Sequence, residues 1–214
     1  MLGRYYLMCL SYRRKIELEK IVNDFVSKFK LDFKEDVFKE LNKIGFDVYR
    51  VKFKISGLSG MIFVNETIDK IDQFNSNKVI LYSHDQDLYN TKFVLLHELS
   101  HYIMEKNKSS DKNVLFAVRD RRRDYNKYHH NINEQEMDYM AAALIIPKDE
   151  FLDKIVNYLT EHDKKFDEST RDELKEDTYF VQMMQKEYKT SDELVTRRID
   201  EMLEIGEKDE EAFS

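Results

Sequence analysis

A single cysteine, Cys9, stands in 214 residues. An intramolecular disulfide is excluded, and so is a thiolate-rich zinc site. A reducing compartment fits, and the expected location is cytoplasmic. Proline occurs once and glycine five times, which leaves little material for flexible linkers in the first three quarters. No apolar run approaches the length of a membrane span. The run Tyr5 to Leu10 is too short for a signal-peptide core, and no small-residue cleavage pattern comes after it. Basic residues are outnumbered, 35 against 42, for a net charge of −7. Duplex affinity rests mostly on Lys and Arg meeting phosphates, so this balance argues against direct nucleic-acid binding.

Apolar residues make up 42% and charged residues 36%, enough for one compact domain or a domain with a small appendage. Ile16, Ile21, Val22, Phe25, Val26 and Phe29 recur at helical spacing within Tyr12–Lys30. A second helix is predicted over Lys34–Ile44, with Gly45 as its stop. The pattern then turns to strands: FDVYRVKFKI, GLSGMIFVN as a turn into a second strand, and KVILYS at Lys78–Ser83. Three strands so close in sequence predict a small, mostly antiparallel sheet. Helices are predicted next over Asn90–Lys106, Asn133 to Pro147, Asp149–Glu161, Arg171–Glu187 and Ser191–Leu203. Thr190 and Glu193 read as a capping box for the last. Ser109–His130 reads as polar and irregular, and the acidic tail as frayed.

Chemistry concentrates in FVLLHELSHYIM, Phe93–Met104. On a helix His97 and His101 lie about 40° apart, so both imidazoles point toward one ion. Glu98 flanks them and reaches a ligand of that ion without binding it. The helix is apolar nearly all round and should be buried. Three bare polar side chains there would be costly, and a bound cation removes the cost. This is the H-E-x-x-H pattern of two zinc ligands and a general base. The competing reading is a pair of hydrogen-bonded core histidines.

A catalytic zinc takes three protein ligands and keeps one position open. NINEQEMDYMAAALIIP supplies the third as Glu134. Asp138, four residues on, shares its face and is placed to hydrogen-bond a ligand histidine. Glu136 is a rival ligand on a different face, and a solvated acidic pair is the plainer alternative.

The pairing of HELSHYIM with EQEMDYMAAALIIP resembles the ImmA/IrrE family of zinc metallopeptidases. The resemblance extends in order over roughly Lys34 to Leu203, through GFDVYRV, GMIFVN, KVILYS and YKTSDELVTRRIDEML. Met137 replaces the family's usual alanine and Met140 its usual phenylalanine; both stay apolar, and no ligand or base position is lost. The resemblance implies an α+β fold: a small, mostly antiparallel sheet, a zincin-type (gluzincin-like) active-site helix, and helix-turn-helix-like helices at the C-terminus. Residues 1–150 would form the metallopeptidase domain, 151–205 the C-terminal helical region and 206–214 the acidic tail. It also implies a protein substrate, a helix-turn-helix transcriptional repressor in a mobile-element or stress-response circuit.

On this reading one Zn²⁺ per chain sits on His97, His101 and Glu134, with Glu98 as general base. Oxyanion donors are sought among Tyr125, Tyr128, His129 and His130. A substrate strand would add to the edge of KVILYS. Arg119, Arg121, Arg122, Arg123 and Lys127 form either a docking patch or a solvated loop paired with nearby acids. Two further readings stand beside the endopeptidase. One is a non-proteolytic zinc-containing module that inhibits or escorts a protein. The other is a DNA-binding regulator, disfavoured by Asp192 and Glu193 at the start of the last helix.

Overall fold

The computed structural model describes residues 10–55, 57–108, 114–120, 132–165 and 167–212. Helix α1 (Tyr12–Phe29) opens where the Ser11 side chain accepts the Arg14 N–H, satisfying a donor that the first turn leaves free. Leu18 and Val22 are buried, with Ile16, Ile21, Phe25 and Val26 packed beside them. Helix α2 (Val37–Lys43) opens at Asp36, which accepts from Phe38 and Lys39. Gly45 ends it as expected, at φ +86. Its N–H donates to Asn42 O while that of Phe46 donates to Leu41 O, the bond pair of a left-handed helix end.

The three expected strands form as β1 (Asp47–Val51), β2 (Leu58–Asn65) and β3 (Lys78–Ser83). A fourth, β4 (Val114–Asp120), lies inside the stretch read as irregular. Strand order is β1-β3-β2-β4. β2 is antiparallel to both β3 and β4, and β1 is parallel to β3. The sheet is therefore mixed with antiparallel pairs in the majority, and the α+β class holds. KVILYS is flanked on both sides, so the edge expected there is already taken; β1 and β4 stand at the outer positions instead.

Helix α3 (Leu88–Asn107) opens at Asp87, which accepts the Asn90 N–H at 2.7 Å. It lies on one face of the sheet, where Gly60 of β2 meets Val94 and Glu98. Val94, Leu95, Leu96, Leu99, Ile103 and Met104 are all buried, as an all-round apolar helix requires. Helix α4 (Ile132–Ile145) packs along α3 and α1, with Ala141, Ala142 and Ala143 buried.

Helix α5 (Lys148–Glu161) comes directly after the lone Pro147. The single helix expected over Arg171–Glu187 is two, α6 (Glu168–Glu176) and α7 (Thr178–Tyr188). Asp177 divides them: it ends α6, and its side chain accepts from Tyr179 and Phe180 to begin α7. Helix α8 (Asp192–Ala212) is capped by Ser191, whose hydroxyl accepts from Leu194, rather than by a Thr190–Glu193 box. Its backbone stays helical as far as Ala212, within the stretch read as a frayed tail. Among the described residues no helix is long and apolar enough to cross a membrane.

α8 also carries charge into the interior. Arg198 is fully buried. It donates to Glu19 of α1 at 2.8 Å, to Glu201 at 2.9 Å, and to the carbonyl of Ile146, just past α4, at 2.9 and 3.2 Å. Tyr139 of α4 donates to the same Glu19 oxygen at 3.0 Å. α4 is thus held by elements from both ends of the chain.

Candidate metal centre

α3 sets His97 and His101 one turn apart, with ring centroids 5.2 Å from each other and planes at 74°. His97 and Glu98 are fully buried, and His101 is partly exposed. α4 brings Glu134 against them. Its carboxylate lies 3.2 Å from His97 Nε2 through one oxygen and 3.8 Å from His101 Nε2 through the other. Across the three side chains, one ligand atom from each lies within 4.8 Å of the others. No other such group is found among the described residues.

Asp138 lies one turn further along α4, and its Oδ1 is 2.7 Å from His97 Nδ1. A carboxylate there accepts a hydrogen bond from Nδ1–H; with an ion in place of the Nε2–Glu134 hydrogen bond, Nε2 would turn its lone pair to the metal, the arrangement a metal-binding imidazole needs. Glu136 is turned elsewhere: Arg14 of α1 binds it at 2.6 and 3.0 Å. That pair removes the rival ligand, and no local pattern in the sequence announces it.

Burial pulls the Glu134 carboxyl upward. The hydrogen bond from His97 and the charges of His97 and His101 outweigh that, and the net direction is down. Glu134 is therefore held as a carboxylate. Arg197 of α8 adds positive charge close by. Burial lowers its pKa, but the attraction of Glu201 and then of Asp138 prevails, and it ends raised. Nothing in the sequence pattern gives Arg197 a part in the site.

The donor set can be measured against the ion it would hold. Tetrahedral zinc with bonds of 2.0–2.1 Å separates its donors by about 3.3 Å. The observed 3.2 and 3.8 Å bracket that separation. A doubly protonated His97 would explain its own two contacts without an ion. It does not explain His101, whose 3.8 Å approach to Glu134 is too long for a hydrogen bond. Two imidazoles and one carboxylate converging from two helices fit a cation.

Not every expected site residue falls within the structure. Tyr125, Tyr128, His129, His130, Arg121, Arg122, Arg123 and Lys127 lie outside the described residues. The backbone of Arg119 lies in β4, paired with Gly60.

Comparison with known families gives one result. The model of the IrrE N-terminal-like domain, peptidase M78, matches residues 42–199, well over half of the chain. No curated protein matches the sequence.

Proposed function

The chain belongs to the peptidase M78 family of IrrE N-terminal-like domains, and on that footing we propose that it is a zinc-dependent endopeptidase acting on a cytoplasmic regulatory protein. One observation carries this reading: His97, His101 and Glu134 bring their donor atoms within 4.8 Å of one another, and Glu98 stands between the two histidines in sequence. His97, His101 and Glu134 would hold the ion, and Asp138 would fix the tautomer of His97. Zinc supplies a Lewis acid that polarises a peptide carbonyl and makes water a better nucleophile at neutral pH.

Glu98 takes the proton of the attacking water and passes it to the leaving amine. An extended substrate adds to β4, the outer strand beside α3, through main-chain hydrogen bonds. A helix-turn-helix repressor is the substrate class the family resemblance suggests. The C-terminal helices then serve as packing support, since Arg198 is buried and unavailable to phosphates.

The test pairs metal analysis with cleavage of a quenched-fluorescent peptide library. Wild type should carry about one zinc per chain and cut. Glu98→Gln should keep the zinc and lose about 10²–10⁴-fold in rate. Equal cleavage by Glu98→Gln removes the general base. Full metal binding with no cleavage by wild type favours the non-proteolytic module.

A further inference from the structure

We propose that Gly60 is a positioning residue for Glu98: a strand position kept without a side chain so that the carboxylate lies against the main chain of β2. The proposal rests on the reading of Glu98 as base. A glycine inside a strand serves either an unusual backbone angle or a close approach. Gly60 does not have the left-handed φ found at Gly45 and Gly57. Close approach remains, and the distances show it. A Cβ at position 60 would lie 2.7 Å from Glu98 Oε1, 3.1 Å from Glu98 Cγ and 2.6 Å from Val94 Cγ1.

Val94 and Glu98 are one turn apart on α3, so the Gly60 backbone seats in the notch between them. Non-bonded carbon contacts settle at about 3.5 Å or more. Any added side chain drives the carboxylate away by a substantial part of an ångström.

The local strand geometry agrees. The β2–β4 register slips between Leu58 and Gly60: Leu58 faces Asp120, Gly60 faces Arg119, and Ser59 is the extra residue. Bulges bend a strand and re-aim the residues beyond them, and they gather near active sites. Here the bulge delivers bare backbone to Glu98. A displacement of about 1 Å at a reacting group can cost about 100-fold in rate, so the seat bears on turnover and leaves the metal donors untouched.

Two readouts test this, and one does not depend on cleavage. Gly60→Ala is made with and without Val94→Ala, which removes the 2.6 Å conflict and leaves the one with Glu98. The G60A/V94A protein should bind as much zinc as V94A, with kcat about 100-fold lower. Cleavage at the V94A rate overturns the proposal. Melting of the chelated protein is then compared for Gly60→Ala in the V94A and V94A/E98A backgrounds, where only the Glu98 conflict differs. The drop should shrink by more than half once the carboxylate is gone. An equal drop in both backgrounds overturns the proposal, because the two positions are then uncoupled. If wild type cuts nothing, the peptidase reading fails, and the melting comparison still decides whether Gly60 seats Glu98.

Discussion

Replacing Arg198 with methionine should unfold this protein at a markedly lower temperature. The guanidinium is fully buried and makes bonds to Glu19, Glu201 and the Ile146 carbonyl. Methionine keeps much of the volume and removes every donor. Glu201 retains Arg197 at 2.8 Å, but Glu19 keeps only the Tyr139 hydroxyl and becomes a buried charge with no cation. Breaking a buried pair by deleting one partner costs about 3–5 kcal/mol. For a chain of this size each kcal/mol moves the midpoint by about 2–4 °C. The expected drop is therefore roughly 6–20 °C, read by calorimetry on the chelated protein so that metal binding does not contribute.

Adding Glu19→Gln removes the stranded charge and keeps an acceptor for Tyr139, so R198M/E19Q should recover part of the loss. The deficit should also shrink in acid. Burial raises the Glu201 carboxyl, yet Arg197 and Arg198 together hold it below its ordinary value. Its contribution is intact above the unfolded value, about 4.3, and is lost as pH falls through the lower folded one. A midpoint within about 2 °C of wild type for R198M, or a double variant worse than the single, would refute this account.

Other outcomes are expected of the site and its frame. Asp138→Asn keeps the shape but removes the charge that orients His97, so metal affinity should fall about 10–100-fold in competition with a chromophoric chelator. Affinity within twofold of wild type would mean Asp138 does not set the tautomer. Lys92 is buried, with its ammonium 2.5 Å from the Tyr188 carbonyl. Burial, and next the charge of Lys189, push its pKa down to about 8. A lowered lysine destabilises the fold below the folded value and releases that cost as pH rises toward the unfolded one, about 10.4. Urea unfolding should therefore show stability rising between about pH 7 and 9 by on the order of 1 kcal/mol relative to Lys92→Met. A flat difference would refute it.

The site was legible because its residues are close in sequence or share a helix face. His97, Glu98 and His101 sit on one helix, and Glu134 and Asp138 on another; helical periodicity alone pairs them. That the two helices meet was read from the need of a catalytic zinc for a third ligand, and from the family resemblance, rather than from spacing. β4 was missed because its apolar core, Leu115 to Val118, is short and runs into the charged stretch after Arg119. Only pairing with β2 makes it a strand, and pairing is a tertiary fact. The break at Asp177 was visible in principle, since aspartate before Thr178 is a helix-start signal, but an unbroken apolar rhythm concealed it. The buried ion pair of Arg198 and Glu201 was not legible, because period and composition cannot distinguish a buried pair from a solvated one. Gly60 looked like a turn residue for the same reason: its partner, Glu98, lies on another element.

The anchoring of α4 has a temporal side. A chain is made from its N-terminus at roughly 5–20 residues per second. Glu19, Glu134 and Tyr139 leave the ribosome well before Arg198, which is needed to fasten the end of α4. For some seconds the nascent chain carries both histidines and Glu134 without the guanidinium that ties the end of α4 to α1. The last fastening of α4 is consequently a late event in the life of each new molecule, set by the arrival of α8.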